Sequence, residues 1–136
     1  MGTPRIIIDT NVLISAFGWR GNPRRIFEQV LEKRFELIVS TKQLAELARV
    51  LTYPRLRFTK EQQKRFLDIL LSVAIIVETR TVFNLITADP SDNMFLESAA
   101  DTRAEYIITG DTHLLNVNKF ENTVILTPAA FIARIA

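Results

Sequence analysis

The chain contains no cysteine and only one histidine, His113, among its 136 residues. Without cysteine there is no disulfide, no thiolate zinc site and no thiol nucleophile. One imidazole is also too few for a metal site built from several histidines. Any metal chemistry of this chain must therefore depend mainly on oxygen ligands.

Long apolar runs are missing as well. The run Val73–Val77 is typical of the apolar stretches and is far too short to cross a bilayer. Near the N-terminus, Thr3-Pro4-Arg5 leads straight into a strand-like run, and there is no signal-peptide pattern. From these absences we expect a cytoplasmic protein with no membrane segment.

The excess of one charge sign is small, with 17 Lys and Arg against 15 Asp and Glu and a net charge of +2. Hydrophobic residues make up 48% of the chain, enough to form a substantial core without disulfides. The length fits one domain spanning residues 1–136. If several carboxylates were occupied by a metal, the remaining surface would be more basic and would suit a polyanionic partner.

Short β-branched runs alternate with helical stretches along the chain, which predicts an α/β fold with a parallel sheet and crossover helices. The predicted strands are Arg5–Ile8, 35–39, 74–77, Tyr106–Ile108 and 124–126. The predicted helices are 23–33, 41–52 behind a capping box at Ser40, 59–72, 92–102 and a last one from Pro128.

Four carboxylates lie where this fold would gather them at one edge of the sheet. Asp9 ends the first strand, Asp111 follows Tyr106–Ile108, Asp92 opens a helix and Glu46 lies a few residues past the second strand. Parallel sheets bind ligands at the carboxyl ends of their strands. Clustered carboxylates repel one another unless cations or protons neutralise them. The pattern therefore predicts a hard divalent metal and metal-assisted chemistry on a phosphate ester.

Each carboxylate also has a purely structural interpretation. Asp9 could be a helix N-cap, although Asn11 two residues later favours a site. Asp92 could stabilise the dipole of the helix that it opens. Asp111 could cap the short turn 112–115, and the following His113 could be a solvated loop residue rather than a general acid or a ligand.

The spacing of Glu46 favours an exposed pair with Lys42, because Glu46 lies off the apolar stripe of its helix. It qualifies as a ligand only if that side of the helix overhangs the strand ends. From the residues alone, both interpretations stay open.

Two basic segments are candidates for contact with a polyanion. The first combines an aromatic residue with three arginines and supplies the predicted substrate contacts Trp19, Arg20, Arg24 and Arg25. Its alternative is a polar loop with the indole folded onto the core. The second basic group, in residues 55–65, is interpreted as a solvated face. The apolar helix within that stretch is either a core helix or a subunit interface.

Taken in order, four motifs resemble a PIN-domain nuclease, and more narrowly the VapC-related toxins of toxin–antitoxin systems. The resemblance covers nearly the whole chain. The motifs are Ile7-Ile8-Asp9-Thr10-Asn11-Val12-Leu13, then Ser40 to Glu46, then Asp89-Pro90-Ser91-Asp92-Asn93, and finally Thr109-Gly110-Asp111.

The resemblance implies a three-layer α/β/α fold with a parallel sheet of about five strands. It implies Mg²⁺- or Mn²⁺-dependent phosphodiester cleavage of RNA, an antitoxin protein as partner and a homodimer. It assigns metal-ligand and catalytic roles to Asp9, Glu46, Asp92 and Asp111, and supporting roles to Asn11 and Thr109. For Glu46 this reverses the preference from spacing.

One departure from the family pattern concerns the second metal position. Relatives commonly carry a further acidic residue two positions past the residue that matches Asp111, where this chain has His113. That substitution favours a rival hypothesis, a PIN-like module that binds RNA or an antitoxin with little catalysis. A receiver domain or an Asp-x-Asp phosphatase is a third class, against which Asn11 in the second acidic position argues.

Overall fold

The structure is a computed structural model and describes residues 2–86 and 90–136. Its strands are β1 Arg5–Ile8, β2 Glu36–Ser40, β3 Ile75–Val77, β4 Tyr106–Ile108, β5 Lys119–Phe120 and β6 Thr123–Leu126. Its α-helices are α1 Thr10–Gly18, α2 Asn22–Leu31, α3 Thr41–Val50, α4 Lys60–Val73, α5 Asn93–Thr102, α6 Thr112–Val117 and α7 Pro128–Ile135. Two 3₁₀ turns, Pro54–Leu56 and Pro90–Asp92, precede α4 and α5.

The strands form one sheet in the order β3-β2-β1-β4-β6-β5. The first five are parallel, and β5 pairs with β6 in the antiparallel direction at the edge. The expected parallel sheet of about five strands is confirmed, with a short sixth strand added. Strand β5 was not predicted because two residues are too few to show an alternating pattern.

Helices cover both faces of the sheet, which confirms the three-layer arrangement. Successive residues of β1 point to opposite faces: Ile6 and Ile8 belong to one buried cluster, and Ile7 belongs to the other. The first cluster packs under α1, α2, α3, α4 and α7, and the second packs under α5 and α6. Residues Ile6, Ile7 and Ile8 of β1 are therefore buried between the two helical layers.

Capping explains where α3 and α4 begin. The Ser40 hydroxyl accepts a hydrogen bond from the Gln43 backbone N–H at 3.0 Å, as predicted. The Gln43 side chain, however, donates to the Ile8 carbonyl at 2.7 Å, so the capping box predicted there is only half formed. The reciprocal box occurs instead at Thr59 and Gln62, at the start of α4. The bond to Ile8 attaches α3 to the end of β1.

Helix α1 was missed by the sequence analysis, and α6 is longer than the turn predicted over residues 112–115. The β-branched and apolar run in α1 gives no clear helical stripe because most of the helix is buried. The residues that follow Asp9 therefore form a helix, where no helix was predicted.

The apolar helix is a core helix on one side only, and its interpretation as a subunit interface stays a prediction. Leu70 of α4 is fully buried, whereas Leu71 is 50% exposed. The helix thus supplies one face to the core and leaves apolar surface on another. Among the residues that the structure describes, no helix combines the length and the apolar character needed to cross a membrane.

Candidate active site

Asp9 lies at the point where the carboxyl ends of β1 and β4 meet. Its backbone N–H donates to the Ile108 carbonyl at 3.0 Å, which joins the two strand ends. Its Oδ1 accepts from the Val12 backbone N–H at 2.8 Å, so Asp9 is the N-cap of α1. The structural interpretation is therefore correct, and the same side chain is also placed in the crevice above the sheet.

Thr109 connects Asp9 to Asp111. The Thr109 hydroxyl donates to Asp9 Oδ2, and its oxygen accepts from the Asp111 backbone N–H at 3.0 Å. Thr109 is completely buried. A buried residue with both bonds made can hold two carboxylates in a fixed relation.

Asp111 caps α6, as its structural interpretation predicted. Its Oδ1 accepts from the His113 backbone N–H at 2.7 Å. His113 lies in the first turn of this helix rather than in a loop, and its Nδ1 is 3.3 Å from Asp111 Oδ1. The imidazole, whose side chain is 47% exposed, is thus adjacent to the carboxylates rather than remote from them.

Asp92 is the last residue of the 3₁₀ turn that precedes α5, and it is 7% exposed. Asp92, Asp111 and His113 each offer a ligand atom, and these atoms lie within 4.8 Å of one another. Asp89, the first residue of the motif that contains Asp92, lies outside the described residues.

Glu46 lines the same cavity as the three aspartates. The exposed Lys42–Glu46 pair that spacing favoured is wrong, because the Lys42 ammonium group binds the Glu97 carboxylate at 3.1 Å. Spacing correctly placed Glu46 off the core stripe of α3. It could not show that this side of α3 overhangs the strand ends.

The resulting cavity measures about 180 Å³. It brings together all four predicted carboxylates and Asn11, with Thr109 buried next to them. The lining residues are Asp9, Thr10, Asn11, Glu46, Val50, Tyr53, Arg55, Ser91, Asp92, Phe95 and Asp111. We call this space the acidic cavity.

The electrostatics of the acidic cavity favour a bound cation. Burial raises the pKa of Asp9, and the nearby Asp111 carboxylate raises that pKa further. Hydrogen bonds from Thr109, Val12 and Gly110 oppose the shift without cancelling it. A cation would stabilise the ionised form of Asp9 and relieve the repulsion, and a carboxylate donor set suits Mg²⁺ or Mn²⁺.

The predicted substrate contacts lie elsewhere. Neither the indole of Trp19 nor the guanidinium groups of Arg20, Arg24 and Arg25 line the acidic cavity. Arg24 donates from Nε to the Ala16 carbonyl and from Nη2 to the Phe17 carbonyl, each at 3.2 Å.

The environment of Trp19 agrees with the alternative interpretation of its loop only in part. Its ring packs against Phe58 with centroids 5.9 Å apart, yet 52% of the residue is exposed. Arg20 and Arg25 are exposed.

Tyr53 and Arg55 are cavity residues that the sequence analysis did not assign to the site. Arg55 is exposed, as expected for the solvated basic face with which it was grouped, and it also lines the acidic cavity. A usable signal was present: Tyr53-Pro54-Arg55 directly follows the helix that carries Glu46, and Pro54 starts a tight turn there.

The sequence profile of the PIN domain family matches residues 5–113. This is well over half of the chain, and it spans β1 and all four carboxylates of the acidic cavity. The chain therefore belongs to the PIN domain family, which is a family of nucleases. No curated protein sequence is significantly similar to it.

Solved structures share the fold at low sequence identity. VapBC2 from Rickettsia felis, bound to a DNA fragment from its promoter, aligns with a TM-score of 0.66 at 18% identity, over 90% of this chain and 98% of that one. PAE2754 from Pyrobaculum aerophilum gives 0.65 at 13%, over 98% and 90%. FitAcB from Neisseria gonorrhoeae gives 0.60 at 15%, over 91% and 98%. At these identities the likeness establishes the fold.

Proposed function

We propose that the chain is a metal-dependent endoribonuclease. The observation that carries this proposal is the convergence of four carboxylates from separate elements around one cavity in a PIN-family chain. Such a cluster is costly unless a cation compensates it. Metal-assisted cleavage of a phosphodiester makes use of that cation.

In this proposal Asp9, Glu46, Asp92 and Asp111 hold Mg²⁺ or Mn²⁺ and form the catalytic group. The bound ion would supply Lewis-acid polarisation of the phosphate and a lowered pKa for an attacking water. Thr109 fixes Asp9 relative to Asp111 through its two hydrogen bonds.

Asn11 contributes an amide to the same cavity and has a supporting role. The carboxylates on the cavity wall would repel a bare phosphate. A bound metal would offset this repulsion at the phosphate that is cleaved.

RNA is the proposed substrate class, and the exposed Arg20 and Arg25 are proposed as outer phosphate contacts. The small positive net charge supports a polyanionic ligand once a metal offsets the carboxylates. Arg24 has a different role here, because its donors are occupied by the end of α1.

The biological role proposed is that of the toxin in a toxin–antitoxin pair, with an antitoxin protein as partner and a homodimer as the assembled form. Support comes from the fold shared with VapBC2 and FitAcB. The role predicts that expression of the chain arrests bacterial growth and that Asp92→Asn relieves the arrest. Growth arrest that persists in this variant would contradict the link between toxicity and the acidic cavity.

The direct test of the proposed activity is cleavage of a mixed RNA pool in Mn²⁺, Mg²⁺ or EDTA. We expect cleavage with either ion, none in EDTA and none for Asp92→Asn. Asp68→Asn is the matched control because Asp68 is exposed on α4. Cleavage that is equal in EDTA, or equal in Asp92→Asn, would contradict the proposal.

The second candidate is a PIN-like module that binds RNA or an antitoxin with little catalysis. His113, in place of an acidic residue, is the observation that favours it. RNA binding without turnover in any divalent ion, in a protein that is folded by thermal melting, would support this candidate over the nuclease.

A further inference from the structure

We propose that Arg49, Tyr53 and Arg55 form a binding ridge that guides single-stranded RNA from the acidic cavity into the neighbouring groove. The inference rests on the proposed function, since it names where the substrate strand of that site runs. It assigns the strand path next to the acidic cavity to the end of α3 and the following turn, and it leaves Arg20 and Arg25 as outer contacts only.

The ridge is organised around the Tyr53 ring. The guanidinium carbon of Arg55 lies 5.7 Å from the ring centroid and that of Arg49 lies 6.0 Å away. Arg49 also donates a hydrogen bond from Nη1 to the Tyr53 hydroxyl. The hydrogen bond holds Arg49 at the hydroxyl edge of the ring, and cation–π contact holds Arg55, before any ligand arrives.

Both guanidinium groups keep their charge available for a ligand. Across residues 2–86 and 90–136, no carboxylate forms an ion pair with Arg49 or Arg55. Lys42, in contrast, is paired with Glu97. Two preorganised guanidinium groups suit phosphate oxygens, which they can bind through two parallel hydrogen bonds.

The ridge lies between two cavities. Tyr53 and Arg55 line the acidic cavity. Arg49 lines an open groove of about 630 Å³ between α3 and the residues 82–84, 90, 91, 93 and 94. Glu46 and Ser91 line both spaces, so the groove adjoins the acidic cavity. A strand with one phosphate at the carboxylates can therefore place the next phosphates along the ridge.

The groove walls suit unpaired bases. Val82, which is 72% exposed, and Phe83 provide apolar surface beside Arg49. The Phe83 backbone N–H is fixed to Glu97 Oε2 at 3.0 Å, so this wall is tied to α5. Apolar and aromatic surface next to cations is the combination that binds single-stranded nucleic acid.

Another open space beside the site lacks these features. A second open space of about 450 Å³ shares Asp9, Asn11 and Asp111 with the acidic cavity. Among the described residues that line it, none is a lysine or an arginine. Since a polyanion follows cationic surface, the groove beside Arg49 is the favoured exit.

The test is the affinity of the full chain for a fluorescent single-stranded RNA, measured in EDTA at several salt concentrations. The variant is the double substitution Arg49→Ala and Arg55→Ala. We expect its Kd to rise at least about tenfold, since hydrogen bonds to charged groups are among the stronger polar contacts. The salt dependence should flatten by a slope of about 0.7 for each lost phosphate contact.

The matched control is Lys64→Ala with Arg65→Ala, which removes two exposed charges from α4 away from both spaces. If both double variants weaken binding equally, only net charge matters and the ridge is overturned. Thermal melts confirm folding. The single variants Arg49→Gln and Arg55→Gln repeat the test if the double variant does not fold, and each should weaken binding and flatten the slope by one contact.

Two further outcomes distinguish RNA from an acidic protein as the ligand of the ridge, and the ridge from the proposed nuclease activity. If polyglutamate competes for the ridge more tightly than RNA of equal charge, the ridge binds an acidic protein and the RNA assignment is overturned. Because binding is measured in EDTA, a protein that never cleaves RNA can still show the ridge effect. Conversely, an active nuclease with unchanged affinity in the ridge variant would refute the ridge alone.

Discussion

Two segments of this chain have similar composition and different roles in the structure. Residues 19–25 combine one aromatic ring with three arginines, and residues 49–55 combine one aromatic ring with two. In the first segment the guanidinium group of Arg24 is held by carbonyls at the end of α1. In the second, Arg55 lines the acidic cavity and Arg49 lines the adjoining groove.

The difference shows that composition alone does not identify a polyanion-binding segment. The groups that accept hydrogen bonds from its arginines are the better guide. An arginine whose donors satisfy helix carbonyls contributes to stability. Arg49 and Arg55 contact Tyr53 and form no ion pair with a carboxylate of the described residues, so their charge is available to a ligand. The comparison can be sharpened by variants that separate chemistry, binding and folding.

The largest effect is expected from Asp92→Asn, which removes charge from the acidic cavity and keeps the side-chain shape. RNA cleavage should fall by at least about a hundredfold, because a metal site supplies several kcal/mol to the barrier. RNA affinity in EDTA should not fall, because neither arginine segment is altered. The measurement is the rate of single-turnover cleavage. Full activity would contradict the assignment of Asp92 to the metal site.

Glu46→Gln tests whether α3 supplies a catalytic carboxylate in addition to Arg49, which lines the groove. If Glu46 is a ligand, the cleavage rate should drop at least about tenfold, which is 1.4 kcal/mol in the barrier. Glu61→Gln on the exposed first turn of α4 is the control. An unaltered rate for Glu46→Gln would leave α3 with a binding role only.

Arg24→Ala tests the segment of residues 19–25. It should lower the free energy of unfolding by about 1–2 kcal/mol, since charged hydrogen bonds to two helix-end carbonyls are lost. The affinity of the folded protein for RNA should stay unchanged. Denaturant melts beside binding titrations measure both, and weakened binding with unchanged stability would restore this arginine to the substrate path.

The smallest effect concerns the pH dependence of stability in EDTA. The pKa of Asp9 is raised in the folded state, so its contribution to stability is full below the ordinary aspartate pKa and is lost as the pH rises through the folded value. Asp9→Asn should therefore melt higher than wild type at neutral pH, and the gap should close towards acid pH. A gap that is independent of pH would contradict the burial effect.

The strands could be predicted well because their apolar runs are continuous. Strands β1 and β4 have the predicted bounds, and β2, β3 and β6 differ by one residue at one or both ends. The sequence analysis missed β5 and α1. Two residues carry no period, and a helix buried on most sides has no polar face to mark it.

The candidate site could be predicted where a carboxylate ends a strand or begins a helix, as at Asp9, Asp92 and Asp111. Glu46 could not be placed from spacing, because the overhang of α3 depends on long-range contacts such as Gln43 with Ile8. Arg55 was missed for the same reason. A turn that folds back on the strand ends leaves no periodic signal in the sequence.

Binding of Mn²⁺ is the most direct test of the account. The number of bound ions and their affinity can be measured by electron paramagnetic resonance titration of the wild type, Asp92→Asn and the Asp68→Asn control. We expect the wild type and the control to bind Mn²⁺ alike, and Asp92→Asn to bind it at least about tenfold more weakly, since one charged ligand is lost. Equal binding by all three proteins would contradict the claim that the carboxylates of the acidic cavity form a metal centre.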